Sequence, residues 1–259
     1  MSNILAIAQK ELKNYFATPI GYVLVGFFIL LFGWFFYTML WYFERQSMQM
    51  ASMGMMGEAP TMNINEQLIR PAFMNVSVIL LLTMPLITMR LYSEEKRSGT
   101  IELLLTSPLT DFQIVMGKFL GSMALYTIML AVTLIHVALL YAFGNPEWRP
   151  IATGYLGLLL MGGCFVAVGL FISSLTRNQI VAAMATFGVF LLLWIVNWIA
   201  PSITNPNAQA VVNYLSFTEH LNDFVSGVVD TAHLCYYVSF IAFGLFLTAR
   251  SVDTERWRG

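Results

Sequence analysis

The sequence predicts an all-α membrane protein with six transmembrane helices. Of its 259 residues, 58% are hydrophobic and only 10% are charged, whereas charged residues make up roughly 25% of an average soluble domain. The charges are also absent from six stretches that are long enough to cross a bilayer, which takes about 20 residues. Finally, positive charges are concentrated in alternate connections between these stretches, a pattern that is typical of multi-pass membrane proteins.

None of the six predicted spans contains Asp, Glu, Lys or Arg. Each such residue at the centre of a helix would cost about 2.5 to 3.5 kcal/mol. The fifth span ends before Pro201, because Pro and Asn residues interrupt the apolar run there. The spans cover residues 20–43, 71–89, 119–143, 151–175, 179–200 and 232–249 of a single transmembrane domain, residues 1–259.

The Lys and Arg residues predict the orientation of the chain. If the amino terminus is cytoplasmic, ten of the 13 Lys and Arg residues lie inside, and only Arg45, Arg70 and Arg149 lie outside. Cytoplasmic connections of membrane proteins carry this excess, so both termini are predicted to be cytoplasmic. The net charge of −1 excludes a strongly basic surface, and no nucleic-acid partner is expected.

A helix is predicted before the first span, from Ile4 to Thr18. Pro19 would then turn the chain into the bilayer. Two arrangements fit this pattern: an amphipathic helix on the inner membrane surface, or a cytoplasmic extension of the first span. The apolar stripe of the helix consists of Ile4, Ala8, Leu12 and Tyr15.

The connection between spans 2 and 3, residues 90–118, is predicted to form a short cytoplasmic helix. It opens with clustered charges, and Pro108 ends the helical run. Thr110 and Gln113 then form a capping box that begins the next helix. The apolar face of the short helix consists of Ile101, Leu104 and Leu105. Such a face either sinks into lipid headgroups or docks in a groove of a partner, and the neighbouring Glu102 favours docking.

A second short helix is predicted on the outer side, between spans 5 and 6. Ser216 and Glu219 have the spacing of a capping box. The predicted helix lies on the outer surface or plugs the space between spans. Its apolar stripe consists of Phe217, Leu221, Phe224, Val225 and Val228.

The first outer connection, from Glu44 to Arg70, is rich in methionine. Thioethers are soft ligands that can select Cu(I). Because the connection contains no His or Cys, a disordered, low-complexity segment is the favoured interpretation. The methionines are Met48, Met50, Met53, Met55, Met56 and Met62.

Small residues predict where helices approach closely. The fourth span is rich in glycine, and Gly117 and Gly121 form a G-x-x-x-G at the entry of the third. Such positions let backbones come together, within the bundle or across a dimer.

Motifs for catalysis are missing from the sequence. It contains no G-x-x-x-x-G-K-[ST], no H-E-x-x-H and no G-x-S-x-G. No catalytic, cofactor-binding or metal site is therefore predicted, and the chain is not expected to be an enzyme.

The segment RLYSEEKRSGTIELLLTSPLTDFQIVMGKFLG, residues 90–121, resembles the cytoplasmic signature of ABC-2 type transporter permeases. A second segment, NYLSFTEHLNDFVSGVVDT, is similar to the subgroup linked to multicopper-enzyme maturation and gliding motility. The resemblance implies a multi-pass protein of the bacterial cytoplasmic (inner) membrane. Its implied partners are cytoplasmic ABC ATPase subunits and a second permease chain, the same or a related one. ATP with Mg would be bound by the partner ATPase, and no cofactor by this chain.

In the family that this segment resembles, the loop helix is the coupling helix that contacts the ATPase. The residues matching it here are Glu94, Glu95, Lys96, Arg97, Gly99, Thr100, Glu102 and Leu105. The resemblance thus implies an exporter permease that couples ATP hydrolysis by a separate subunit to substrate movement. The spans contain no polar cluster that would mark a hydrophilic path. The alternative is therefore a non-transporting membrane scaffold that uses ATPase motion for mechanical or assembly work, as in gliding or copper-enzyme maturation.

Overall fold

Helices make up most of the computed structural model, which describes residues 2–54, 63–199 and 202–256. No β-strand occurs in these three ranges, and the all-α prediction is confirmed. A π-helical turn, Asn65–Ile69, precedes the third helix. The α-helices are α1 (Ser2–Ala17), α2 (Pro19–Gly54), α3 (Arg70–Thr88), α4 (Ser93–Ser98), α5 (Ile101–Leu105), α6 (Asp111–Phe143), α7 (Trp148–Leu175), α8 (Gln179–Ile199), α9 (Pro206–Leu215), α10 (Phe217–Val225) and α11 (Thr231–Arg256).

Among the described residues, six helical segments are long and apolar enough to cross a membrane, which confirms the predicted number of spans. Except for the fifth, which ends at Val196 within its predicted bounds, the segments extend beyond the predicted bounds, because a helix continues into polar residues once its apolar part is formed. They are Pro19–Ser52, Asn65–Ser98, Asp111–Phe143, Trp148–Leu175, Gln179–Val196 and Thr231–Arg256.

The second and fourth spans form the centre of the bundle. In the most apolar 18-residue stretch of each of these spans, 67% is buried, against 17 to 33% in the other four spans. Glycines make this packing possible, as the glycine-rich sequence of the fourth span predicted. A Cβ at Gly154 would lie 2.5 Å from the ring of Phe73 on α3, and one at Gly162 would overlap the ring of Tyr126 on α6.

Gly117 and Gly121 face α1, so the G-x-x-x-G contact lies within this chain. A Cβ at Gly117 would lie 2.5 Å from that of Ile7, and one at Gly121 would lie 2.7 Å from that of Glu11. The first helix ends at Ala17 and α2 begins at Pro19. Therefore α1 is a separate helix and not an extension of the first span.

Two ends of the bundle can be distinguished by their contacts. At the loop end, α1, α4, the start of α6 and the last turn of α11 are joined by ion pairs. At the opposite end, the π-helical turn, α9 and α10 meet the 144–147 connection and the start of α11. The loop end corresponds to the predicted cytoplasmic side.

Over residues 44–54, the structure corrects the prediction of a disordered first outer connection. Helix α2 continues through Met48 and Met50 and ends at Gly54, because Met, Gln, Ala and Ser all tolerate a helix and no Pro interrupts it. Met55, Met56 and Met62 lie outside the described residues.

Two details of the predicted outer helix are also corrected. Ser216 Oγ accepts from the Glu219 amide at 3.4 Å, but the amide of Ser216 donates to the Asn213 carbonyl instead of the Glu219 side chain. This happens because α9, which was not predicted, ends there. Val228 lies beyond α10 and is exposed, whereas the other four apolar positions of the stripe are buried.

Candidate coupling site

Lys118 lies at the centre of a buried ionic cluster at the loop end. Its Nζ lies 3.0 Å from Glu11 Oε1, 2.8 Å from Glu95 Oε1 and 2.7 Å from the Leu91 carbonyl oxygen. The side chain is only 1% exposed. An ammonium group has three protons to donate, and all three have acceptors here. The cluster joins α1, α4 and α6.

The local sequence explains why these three helices meet. Glu11 lies three residues after Ala8 and four before Tyr15, so it shares their helical face. Small residues at Gly117 and Gly121 let that face approach α6 closely. A buried charge needs a partner of opposite sign, and Lys118 supplies it one residue after Gly117.

Tyr15 connects α1 to the end of α3. Its hydroxyl donates to the Ile87 carbonyl at 2.8 Å, and the Arg90 guanidinium lies 4.4 Å from the centre of its ring. Burial raises the pKa of the Tyr15 phenol to about 12. The phenol therefore stays neutral and keeps its proton for the hydrogen bond.

Lys96 and Ser173 connect α4 to the ends of α7 and α11. The Lys96 ammonium lies 2.6 Å from Glu255 Oε1 and also donates to the Ser174 carbonyl. Ser173 Oγ accepts from the amides of Tyr92 and Ser93 at 3.0 and 3.2 Å. These bonds satisfy amides at the start of α4 that no helix carbonyl can reach.

Arg256 completes the set of contacts at the loop end. Its Nη1 lies 3.1 Å from Asp111 Oδ1, in the first turn of α6, and its Nη2 donates to the Leu109 carbonyl at 3.3 Å. Residues before and within the start of α6 are therefore tied to the last turn of α11. The predicted capping box of Thr110 and Gln113 is confirmed.

The structure divides the predicted coupling residues into an inward and an outward set. Glu95 and Lys96 point into the contacts just described. Gly99 ends α4 at φ = 73°, in the left-handed region that glycine adopts without strain. Nothing is described of the Leu105 side chain. The outward, exposed members are Glu94, Arg97, Thr100 and Glu102.

The apolar residues of α5 are divided in the same way. Ile101 and Leu104, which were predicted to form a docking face, are half-buried against the core of this chain. Leu103 is 73% exposed. We call the exposed surface of α4 and α5 the loop face; it consists of Glu94, Arg97, Thr100, Glu102 and Leu103.

Sequence reasoning missed Lys118, Glu11, Ser173 and Glu255 as members of this site. The available signal for Glu11 was its position within an otherwise apolar helical stripe. Ser173 and Glu255 had no comparable signal, since each meets α4 from a helix distant in sequence. Within the described ranges, no group of three or more His, Cys, Asp or Glu side chains is placed to hold a metal ion.

Comparisons with known proteins agree with this architecture. The chain is similar to two proteins described as "Probable multidrug ABC transporter permease YbhR", from Escherichia coli strain K12 and Escherichia coli O157:H7. Each is 29% identical over 118 residues. The matched region covers 46% of this chain and 31% of each relative, so the chain spans about a third of the length of these relatives.

The family described as ABC-2 family transporter protein matches residues 5–249. That range includes α1, the loop face and the apolar part of all six spans. Its six apolar helical segments indicate a multi-pass membrane protein. The chain belongs to the ABC-2 family of transporter proteins.

Proposed function

We propose that this chain is the permease subunit of an ATP-driven exporter and that the loop face receives the motion of a partner ATPase. The observation that carries the proposal is the buried Lys118 cluster, which joins the loop to α1 and α6. The ATPase binds ATP with Mg, and a second permease chain completes the complex in the bacterial inner membrane.

The chemistry of the loop face suits a protein partner. Leu103 is an exposed apolar side chain, and Glu102 lies next to it. An apolar anchor with charged neighbours is typical of a short helix that fits a groove. Glu94 and Arg97 offer both signs of charge at the edge, where they favour one orientation of the partner.

Ionic contacts make the loop a rigid part of the bundle. Removing one partner from a buried ion pair costs about 3 to 5 kcal/mol. The ion pairs of Lys118 and Lys96 join α4 to α1, α6 and α11, and Lys96 also donates to the Ser174 carbonyl of α7. A push on the loop face therefore displaces α1, α6 and α11 together, instead of bending the loop.

The substrate in this proposal is apolar or amphipathic. The six spans carry few charged side chains in their most apolar stretches. A charged cargo would need polar partners at membrane depth. The description of the two relatives as multidrug permeases supports the same class.

The test is ATP hydrolysis by the co-purified ATPase in proteoliposomes. The double variant Glu102→Lys with Leu103→Lys puts two positive charges on the loop face, and we expect at least a tenfold loss of ATPase recovery or stimulation, which corresponds to about 1.4 kcal/mol. Met48→Lys is the matched control, since Met48 is 72% exposed against 73% for Leu103 and lies at the far end of α2. Unchanged recovery and hydrolysis in the double variant would contradict the proposal.

A membrane scaffold is the second candidate. The contacts of α7 with Phe73 and Tyr126 fill the space next to its glycines, so the central helices are closely packed. Such a bundle can transmit ATPase motion without moving a solute. ATP-dependent uptake of a hydrophobic dye into inverted vesicles, lost in the loop-face double variant, would exclude this candidate.

A further inference from the structure

Three hydrogen bonds in a row connect α9, α10 and α11 at the opposite end of the bundle. His220 Nε2 lies 2.8 Å from the Tyr214 carbonyl oxygen. His220 Nδ1 lies 2.5 Å from His233 Nδ1, and His233 Nε2 lies 2.6 Å from Asp223 Oδ2. His220 is only 3% exposed, so the first two bonds are largely shielded from water.

The acceptors fix the number of protons in this row. The Tyr214 carbonyl can only accept, so His220 Nε2 must carry a proton. One proton must lie between the two Nδ1 atoms, and one between His233 and Asp223. Three protons shared by two imidazoles and one carboxyl group leave the trio without net charge. Every state with fewer protons loses one of the three bonds.

A fourth proton that binds the rings breaks the contact between them. Both Nδ1 atoms would then be N–H donors facing each other at 2.5 Å, and two cationic rings would repel. Burial lowers the pKa of His220 below its ordinary value of 6.5, and the neighbouring His233 acts in the same direction. The fourth proton is therefore bound only in acid, below about pH 6.5.

Aromatic rings surround the pair, and few other charges face it. The Tyr236 ring stacks on His220, with centroids 3.9 Å apart. Helix α8 contributes no titratable side chain. Other titratable or charged groups on packed elements include Glu219 on α10, Tyr214 on α9, Tyr237 on α11, Cys164 on α7 and Arg70, whose guanidinium binds Asn222.

We propose that His220, His233 and Asp223 form a proton-binding site that fastens α10 to α11 in one protonation state. Asp223 lies on α10 and His233 on α11, so the row crosses between the two helices twice. Acidification separates the rings and loosens α10, the helix that covers Gly157 of α7 with Phe224. The site does not depend on the ATPase coupling proposed above.

Hydrogen exchange measured by mass spectrometry on the full chain in nanodiscs tests this site. We expect the protection of the 217–225 amides, corrected for the intrinsic exchange rate, to fall about tenfold from about pH 7.5 to about pH 5. His220→Gln should remove this pH step, because glutamine does not titrate. The chain has three histidines, and His136→Gln is the matched control that should keep the step.

Either a flat pH profile in the wild type or an unchanged step in His220→Gln would overturn the proposal. If His220→Gln fails to fold, ¹⁵N-histidine NMR of the wild type decides, since only three imidazoles contribute signals. The expected result at neutral pH is a strongly deshielded proton coupled to two Nδ1 atoms. Two imidazoles that titrate independently, without a shared proton, would refute the site.

Discussion

Lys118 and Glu11 are 107 positions apart in the sequence, yet Lys118 Nζ and Glu11 Oε1 lie 3.0 Å apart in a buried ion pair. The pair fixes the first helix against the third span at the loop end. Glu95 shares the same ammonium from the loop itself. The amino-terminal helix is thus part of the structure that supports the loop face, and substitutions in this helix should affect the loop face.

Lys118→Met should destabilise the protein by about 3 kcal/mol or more. The substitution leaves Glu11 buried without a counter-charge and leaves Glu95 with only the exposed Lys10 ammonium, 4.0 Å away. Removing one partner of a buried pair costs about 3 to 5 kcal/mol. Unfolding in mixed detergent micelles measures the change. Lys13→Met is the matched control, because Lys13 is exposed and should change stability by less than about 0.5 kcal/mol.

Replacing the whole cluster should restore stability. In Lys118→Met combined with Glu11→Leu and Glu95→Leu, all three charges of the Lys118 cluster are removed. Apolar replacements of buried ion pairs are often neutral, or stabilising by about 1 to 4 kcal/mol. The same unfolding measurement should place the triple variant near the wild type. A triple variant as unstable as Lys118→Met would show that the loss arises from packing and not from unpaired charge.

Ser173→Ala should cost about 2 kcal/mol. The substitution leaves the amides of Tyr92 and Ser93 without their acceptor in a buried position, and each unsatisfied group costs about 1 to 3 kcal/mol. Thermal unfolding in nanodiscs is the readout. Ser98→Ala serves as the control, since Ser98 is exposed and its hydroxyl bonds are local. Equal effects of the two substitutions would contradict this role for Ser173.

Gly162→Ala should be destabilising by about 1 to 3 kcal/mol, because the added methyl overlaps the Tyr126 ring. Gly188→Ala is the control in the adjacent span. Its Cβ would meet nothing within 4 Å, and alanine has the higher helix propensity, so it should be neutral or stabilising. Comparing the unfolding midpoints of the two variants separates packing from propensity.

Tyr15→Phe should change the response to alkaline pH. The pKa of Tyr15 is raised from 10 to about 12, so its contribution is complete below pH 10 and is lost as pH rises towards 12. The stability of the wild type relative to Tyr15→Phe should fall by about 1.4 kcal/mol per pH unit across that window. A difference that does not vary with pH would mean that the phenol is not buried.

Local sequence patterns predicted hydrogen bonds correctly where neighbours in the sequence are also the physical partners. The capping box of Thr110 and Gln113 is confirmed because both groups belong to one helical turn. The similar box at Ser216 and Glu219 forms only in part, because the Asn213 carbonyl of a preceding helix takes the Ser216 amide. Spacing identifies a possible bond but not the competing acceptor.

The number of spans and the position of the loop follow from hydrophobicity and charge along the chain, since a bilayer excludes charged residues wherever they occur. Hydrophobicity and charge along the chain do not determine which side chains meet. The contacts of Lys118 with Glu11 and of His220 with His233 depend on how the helices pack. Glycine positions permit such close approach, but the partner is chosen by the lowest free energy of the whole bundle. Polar contacts between helices that are distant in the sequence are therefore decided only by the tertiary structure.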